Sequence, residues 1–430
     1  MLMQFKVRNF RSIRNELIFN TFVRGDIDPN SARHFTPSAL STHPLNTVSM
    51  VYGSNASGKS NLVRAIGLMK SIVMESSRTN EGDLLPYDPY AFSSLTRSAD
   101  TEFEIEFIAD DVRYQYGFAY DENKITEEWL FSYPNGVAKK WLMRSFTETG
   151  SYFYDKCDDL SGAKEIWETA TRDNALFLST AVQLKSEQLL PVFNWFKNTL
   201  RVIGSSGPSG NLSIAKIKNK ESKDAILKFM QAADFCISDF RIEDVDMEAE
   251  LKKMPIELQD LIKGAQNSGK NKPHFVEIKS GHTNDLGEVE YIDIAHESDG
   301  TQKVFELAGS WLDAFENARV LVMDEMNLHL HPNLNGFLVD LFYDKKINCS
   351  GSQLITTTHE TNLLKGRSSC ADQIWIMDRY KDGSSSLLNL KDFDLGENLD
   401  IEEAFIQGRF EGVPVTNVTD VIRARNQYNG

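Results

Sequence analysis

Cysteine is scarce in this sequence: four in 430 residues, at Cys157, Cys236, Cys349 and Cys370, never spaced as C-x-x-C. That spacing suggests neither a disulfide framework nor a zinc site. No apolar run approaches the 18 residues that mark a bilayer-crossing helix. The opening M-L-M-Q-F-K-V-R-N-F alternates apolar and polar residues and lacks the unbroken apolar core of a secretory signal. The expectation is a cytoplasmic chain with no membrane partner. Basic excess is also lacking. Lys and Arg number 46 against 62 Asp and Glu, a net charge of −16, which offers no broad surface for a phosphate backbone. The local cluster Lys216, Lys218, Lys220 and Lys223 reads first as a solvated face, with contact to nucleic acid or a partner left open. No heptad run is sustained, so no long coiled coil is expected, and no internal repeat is visible.

What is present is a composition of 41% hydrophobic and 25% charged residues, ordinary for one large globular domain or two. Within it, Gly53-Ser54-Asn55-Ala56-Ser57-Gly58-Lys59-Ser60 fits G-x-x-x-x-G-K-[ST] at every fixed position. Glycines let the backbone curl so that successive N–H groups converge on phosphate oxygens. Lys59 is placed to reach the β- and γ-phosphates, and the Ser60 hydroxyl to coordinate Mg²⁺. The flanks agree. Thr47–Tyr52 reads as a buried strand, and apolar residues recur at helical spacing from Asn61 to Ile72. The loop thus joins a strand to a helix N-terminus, where the helix dipole favours an anion.

A second segment answers the loop. R-V-L-V-M-D-E, Arg319 to Glu325, is a buried parallel strand followed by two carboxylates at its C-terminal end, where α/β sheets bind ligands. Asp324 is the candidate Mg²⁺ holder, and Glu325 the candidate base for an attacking water. Read alone, such a pair is commonly a helix cap; the phosphate loop makes it functional. Ser298-Asp-Gly300-Thr lies 26 residues before Asp324 and opens an apparent helix, V-F-E-L-A-G-S-W-L-D-A-F. Alone it is a turn signal, but in this order it invites a dimer in which each chain closes the other's site. The strand S-Q-L-I-T-T-T ends in His359, which can hydrogen-bond a γ-phosphate.

The ordered set G-S-N-A-S-G-K-S, S-D-G-T-Q-K, V-L-V-M-D-E and T-T-T-H resembles an ABC-type ATPase head, closer to SMC, Rad50 and RecF than to membrane transporters. The opening F-K-V-R-N-F-R-S, Phe5 to Ser12, is similar to the first strand of those heads. Y-Q-Y-G-F at Tyr114, I-T-E-E-W-L at Ile125, N-A-L-F-L-S at Asn174, L-H-L-H-P at 328–332, D-Q-I-W at Asp372 and G-R-F-E-G-V-P at 408–414 resemble a narrower group. These are standalone prokaryotic ABC ATPases of anti-phage and abortive-infection systems, the AbiL/RloA-like members among them, with PARIS and Septu ATPase subunits more distant. The resemblance implies ATP and Mg²⁺ as ligands. Gly53 to Asn61 form the Walker A cradle, and Ser298 and Gly300 the signature that contacts the opposite chain's γ-phosphate. Ser60 and Asp324 hold metal, while Glu325 and His359 are catalytic. Two departures stand: the signature is S-D-G-T where transporters have S-G-G-Q, and no Q-loop glutamine can be placed, since Gln115 falls inside an apparent strand.

The resulting expectation is an α/β fold: an ABC-type ATPase head with a P-loop parallel sheet core, an antiparallel β subdomain and a helical lobe insertion. Residues 1–155 supply the N-terminal part of the head, 156–285 the helical lobe, and 286–430 the C-terminal part. Breaks are expected at 204–210 and 264–273. Gly430 follows His359 by 71 residues, which leaves no room for a fused nuclease domain and points to a separate effector chain, nuclease or toxin. The function expected is a slow ATPase that forms a homodimer or higher homo-oligomer on ATP and regulates that effector. A nucleotide-gated scaffold with little turnover and a RecF-like DNA-repair ATPase remain alternatives.

Overall fold

The alternation in T-E-F-E-I-E-F-I-A builds one face of a sheet and charges the other. In the computed structural model, Thr101–Ala109 is the fifth strand of a seven-stranded antiparallel sheet. The strand order is Tyr152–Tyr154, Lys139–Phe146, Ile125–Tyr133, Val112–Tyr120, Thr101–Ala109, Leu2–Arg8, Leu17–Asn20. Phe103, Ile105 and Phe107 are buried with Phe5, Val7, Tyr116 and Phe118. On the opposite face the register sets Lys6 beside Glu104 and Arg8 beside Glu102. The resulting ion pairs, 2.8 and 2.6 Å, reinforce the pairing of the N-terminal strand. The structure describes residues 1–24, 33–40, 43–155, 159–205, 210–244, 276–327, 330–365, 368–396, 399–410 and 412. The segment 264–273 lies outside them, as do 206–209 of the first expected break and parts of L-H-L-H-P and G-R-F-E-G-V-P.

The second sheet has six strands in the order Leu200–Ile203, Val320–Met323, Gln353–Thr357, Val48–Gly53, Ile374–Arg379, Ser385–Asn389. The first five are mutually parallel and the last turns back antiparallel. V-S-M-V-Y-G and V-L-V-M are buried throughout, the continuous apolar reading of a strand covered on both faces. Helix Lys59–Glu75 buries Leu62, Val63, Ile66, Met69 and Val73 at a 3.6-residue period. One apolar cluster joins this helix to both sheets, with Trp195 stacked on Phe107 at 4.2 Å between ring centres. The sheet-plus-P-loop class expected from sequence is therefore the observed one. Leu200–Ile203, four residues with Arg201 among them, was not foreseen as a strand.

The chain divides into two units. The one just described contains Met1–Gly207, Asn317–Asn327 and Leu338–Gly430; the other contains Pro208–Glu316 and Leu328–Phe337. Within the second, Asp239–Asp244, Val276–Thr283 and Val289–Asp293 form an antiparallel sheet. Helix Asp299–Asn317 meets helix Asn211–Ile217 at Gly309, where an added Cβ would fall 2.3 Å from Ser213 N.

A charged pair is sealed inside the first unit. Arg144 and Glu128 are both fully buried, with Nε 3.2 Å from Oε2. Glu128 also accepts from Tyr116 Oη and from the N–H groups of Phe177 and Leu178, while Arg144 donates to Ala175 O at 2.7 Å. Arg144→Met would strand the Glu128 carboxylate without its counter-charge. Urea unfolding is expected to show a loss of about 3–5 kcal/mol.

Candidate active site

The phosphate-loop pattern falls on the turn between strand Val48–Gly53 and helix Lys59–Glu75. Gly53 has φ 154° and Gly58 φ 111°. A Cβ on Gly53 would lie 2.2 Å from Met377 O, and one on Gly58 2.2 Å from Ser385 Oγ, so close approach fixes glycine at both positions. Ala56 also sits at positive φ, 64°. Asn61 and Leu62 donate their N–H groups to Gly58 O. Lys59 and Ser60, the first two residues of helix Lys59–Glu75, bring further N–H groups to its open end. Lys59 is buried, and Nζ donates to Gly53 O at 2.8 Å and Ser54 O at 2.9 Å, spanning the loop.

Both carboxylates follow strand Val320–Met323, which lies one strand away from Val48–Gly53. Asp324 is buried, and its Oδ1 accepts from Ser60 Oγ at 3.1 Å and from Thr357 Oγ1 at 2.7 Å. The Glu325 N–H donates to Thr357 Oγ1 at 2.8 Å, and Glu325 holds φ 52°, a left-handed backbone that is costly for a residue with a side chain. Thr357 therefore sets both acidic residues. It was missed in the sequence, where T-T-T-H drew attention to the histidine alone; the available signal was a hydroxyl at the C-terminal end of an adjacent parallel strand. Thr357→Val removes both hydrogen bonds at nearly constant volume, and is expected to lower turnover about ten-fold, with nucleotide affinity much less affected, in steady-state assays.

Asn55, Ala56, Gly58, Lys59, Ser60, Asn61, Glu325 and His359 all line one cleft of about 830 Å³. Gly53, Ser54 and Ser57 form the rest of the loop. Behind it, Ser385 Oγ donates to Ser57 O at 2.6 Å and Asn61 Nδ2 donates to Ser12 Oγ at 2.8 Å, contacts the sequence did not reveal. Ser298 and Gly300 belong to the other unit. There Ser298 caps helix Asp299–Asn317, its Oγ accepting from Thr301 N at 3.2 Å. Gln115 is confirmed within a strand, donating to Glu104 and accepting from Tyr133 Oη, so the Q-loop role stays unassigned.

Burial pushes the Lys59 ammonium down to about 8, against the pull of Glu325 and Asp324. Burial and the Lys59 charge lower His359 below its ordinary value of 6.5, with the same two carboxylates opposing, so its imidazole is neutral at pH 7. A polyphosphate bound at Lys59 favours the protonated amine, so binding takes up a proton wherever the unliganded site has lost it. Affinity is thus expected to be near its plateau at pH 7.5 and about ten-fold weaker at pH 9, a dependence that Lys59→Ala flattens. Calorimetric titration in two buffers of different ionisation enthalpy checks the proton uptake.

The donor set suits Mg²⁺: hard oxygen from one hydroxyl and one carboxylate, 3.1 Å apart, with remaining positions available to phosphate and water. Among the described residues no cluster of three or more His, Cys, Asp or Glu could hold a metal by protein ligands alone. Among them too, no helix is long and apolar enough to cross a membrane.

A crystal structure of the SmcHead bound to the C-winged helix domain of ScpA is similar at 14% identity and TM-score 0.40, covering 91% of this chain and 98% of that one. The SMC head domain from Thermotoga maritima is similar at 13% identity and TM-score 0.39, covering 90% and 98%. No curated protein matches the sequence. Residues 48–365 match the family model described as "AAA domain, putative AbiEii toxin, Type IV TA system", a span that takes in the loop, the signature, both carboxylates and His359. With most of its length in that match, the chain belongs to this AAA-domain ATPase family.

Proposed function

We propose that the chain binds ATP with Mg²⁺ in this cleft, hydrolyses it slowly, and closes as a homodimer around two nucleotides. The observation that carries the reading is the convergence of Lys59, Ser60, Asp324, Glu325 and His359, set by three neighbouring parallel strands and a hydrogen-bonded Thr357. Loop N–H groups and Lys59 hold the β- and γ-phosphates. Ser60 and Asp324 hold Mg²⁺, which supplies charge neutralisation on the phosphates. Glu325 orients the attacking water and accepts its proton, and His359 donates a hydrogen bond to the γ-phosphate. Catalysis of this kind rests on positioning and electrostatic stabilisation.

Ser298 and Gly300 of one copy complete the site of the other in this reading, each helix N-terminus facing a γ-phosphate. The biological role we propose is a sensor or regulator in an anti-phage defence system, cytoplasmic, acting through a separate nuclease or toxin chain. The family description, which names a toxin–antitoxin system, supports that direction. Phosphate release by the purified chain, with and without its neighbouring gene product, tests it. A catalytic regulator shows turnover that the partner changes, whereas partner binding that tracks ATP occupancy without turnover indicates a nucleotide-gated scaffold.

A further inference from the structure

The cleft extends beyond the phosphate loop to a rim made of three segments far apart in sequence: the turn at Arg11, the loop Asp88–Phe92, and the hairpin carrying Arg379 and Gly383. These segments are tied together. Arg11 pairs with Asp88 at 2.8 Å through its side chain and again through its backbone N–H. Buried Tyr90 donates its hydroxyl to Asp382 O at 2.5 Å. Phe92 is the one benzenoid ring among the described residues of the cleft lining, and it is 71% exposed. Its ring is held edge-on against Tyr90, centres 5.7 Å apart and planes at 79°. A Cβ placed on Gly383 would lie 3.3 Å from both the Phe92 ring and Arg379 Nη2, so ring and guanidinium flank the same bare backbone.

We infer that Phe92 and Arg379 form a nucleobase subsite: the base of a purine nucleoside triphosphate stacks on the Phe92 ring beside the Arg379 guanidinium. The inference rests on the nucleotide reading of the cleft given above. With the triphosphate on the loop, base and ribose must follow the rest of the cleft, and the rim is where a planar apolar surface and a flat cation meet. Both recognise a π-face, the ring by stacking and the guanidinium by cation–π and planar contact. The larger purine face gains more from such a pair, so ATP and GTP bind tighter than CTP and UTP.

The test is titration of the intact chain with Mg²⁺ and, in turn, ATP, GTP, CTP, UTP and inorganic tripolyphosphate. Phe92→Ala is expected to weaken ATP about ten-fold and to leave tripolyphosphate unchanged, with Phe92→Trp restoring the difference. An exposed ring makes Phe92→Ala compatible with folding, and an unshifted Tm confirms it. Equal weakening of tripolyphosphate overturns the subsite, because the ring then serves the loop. Unchanged ATP affinity overturns it too, including the case in which only self-association is lost and the ring meets a second copy. If wild type binds neither ATP nor tripolyphosphate, the nucleotide reading falls and the subsite with it. If tripolyphosphate binds and ATP is indifferent to Phe92, the subsite alone falls.

Discussion

Glu325→Gln is expected to lower ATP turnover by about 10²–10⁴-fold and to leave ATP binding intact. The amide keeps the size of the carboxylate and loses its capacity to accept a proton, together with the charge that acts on Lys59 and His359. The local frame survives, because the hydrogen bond to Thr357 comes from the backbone N–H of residue 325 and not from its side chain. The variant should therefore hold ATP and accumulate as a species of twice the chain mass, measured by light scattering with and without nucleotide. Hydrolysis at the wild-type rate would remove Glu325 from the base role. Hydrolysis lost together with binding would mean that the side chain shapes the cleft.

Lys59→Ala is expected to weaken ATP binding by about 100-fold or more, near the loss measured when one member of a buried charged pair is truncated. The structure separates this from unfolding. Lys59 is buried as a cation whose folded-state value, about 8, lies below its ordinary 10.5. The unfolded chain binds the extra proton between those values, so this lysine opposes folding most fully below pH 8, and its contribution to stability rises toward pH 10.5. Alanine removes that opposition along with two hydrogen bonds to loop carbonyls, and the unliganded variant should keep its Tm. Binding of ATP at wild-type affinity would take the loop out of the account.

The parts of the site legible in sequence are those whose chemistry demands a residue type at a fixed offset. Gly53 and Gly58 must be glycine because Met377 O and Ser385 Oγ leave no room for a Cβ, and Lys59 and Ser60 must follow where the helix begins. Asp324 and Glu325 were legible because four buried apolar residues precede them. What escaped came from other parts of the chain by topology. Ser12 and Ser385 meet behind the loop across 373 positions, and Thr357 reaches Asp324 across 33. No local periodicity carries such contacts. Leu200–Ile203 escaped for a different reason: four residues with Arg201 among them, at the end of a helical pattern, give no strand signal until Val320–Met323 pairs with them. The antiparallel sheet was easier, since three of its strands run nine residues with strong alternation and short turns.

The claim that two chains share each nucleotide is tested most directly by mixing two disabled variants. Lys59→Ala and Ser298→Arg are each expected to be inactive alone. In a heterodimer one site combines both defects and the other has intact Lys59 from one chain and intact Ser298 from its partner. Equal mixing is therefore expected to return hydrolysis to about a quarter of the wild-type rate. A mixture no more active than the sum of its separate components would contradict the shared site.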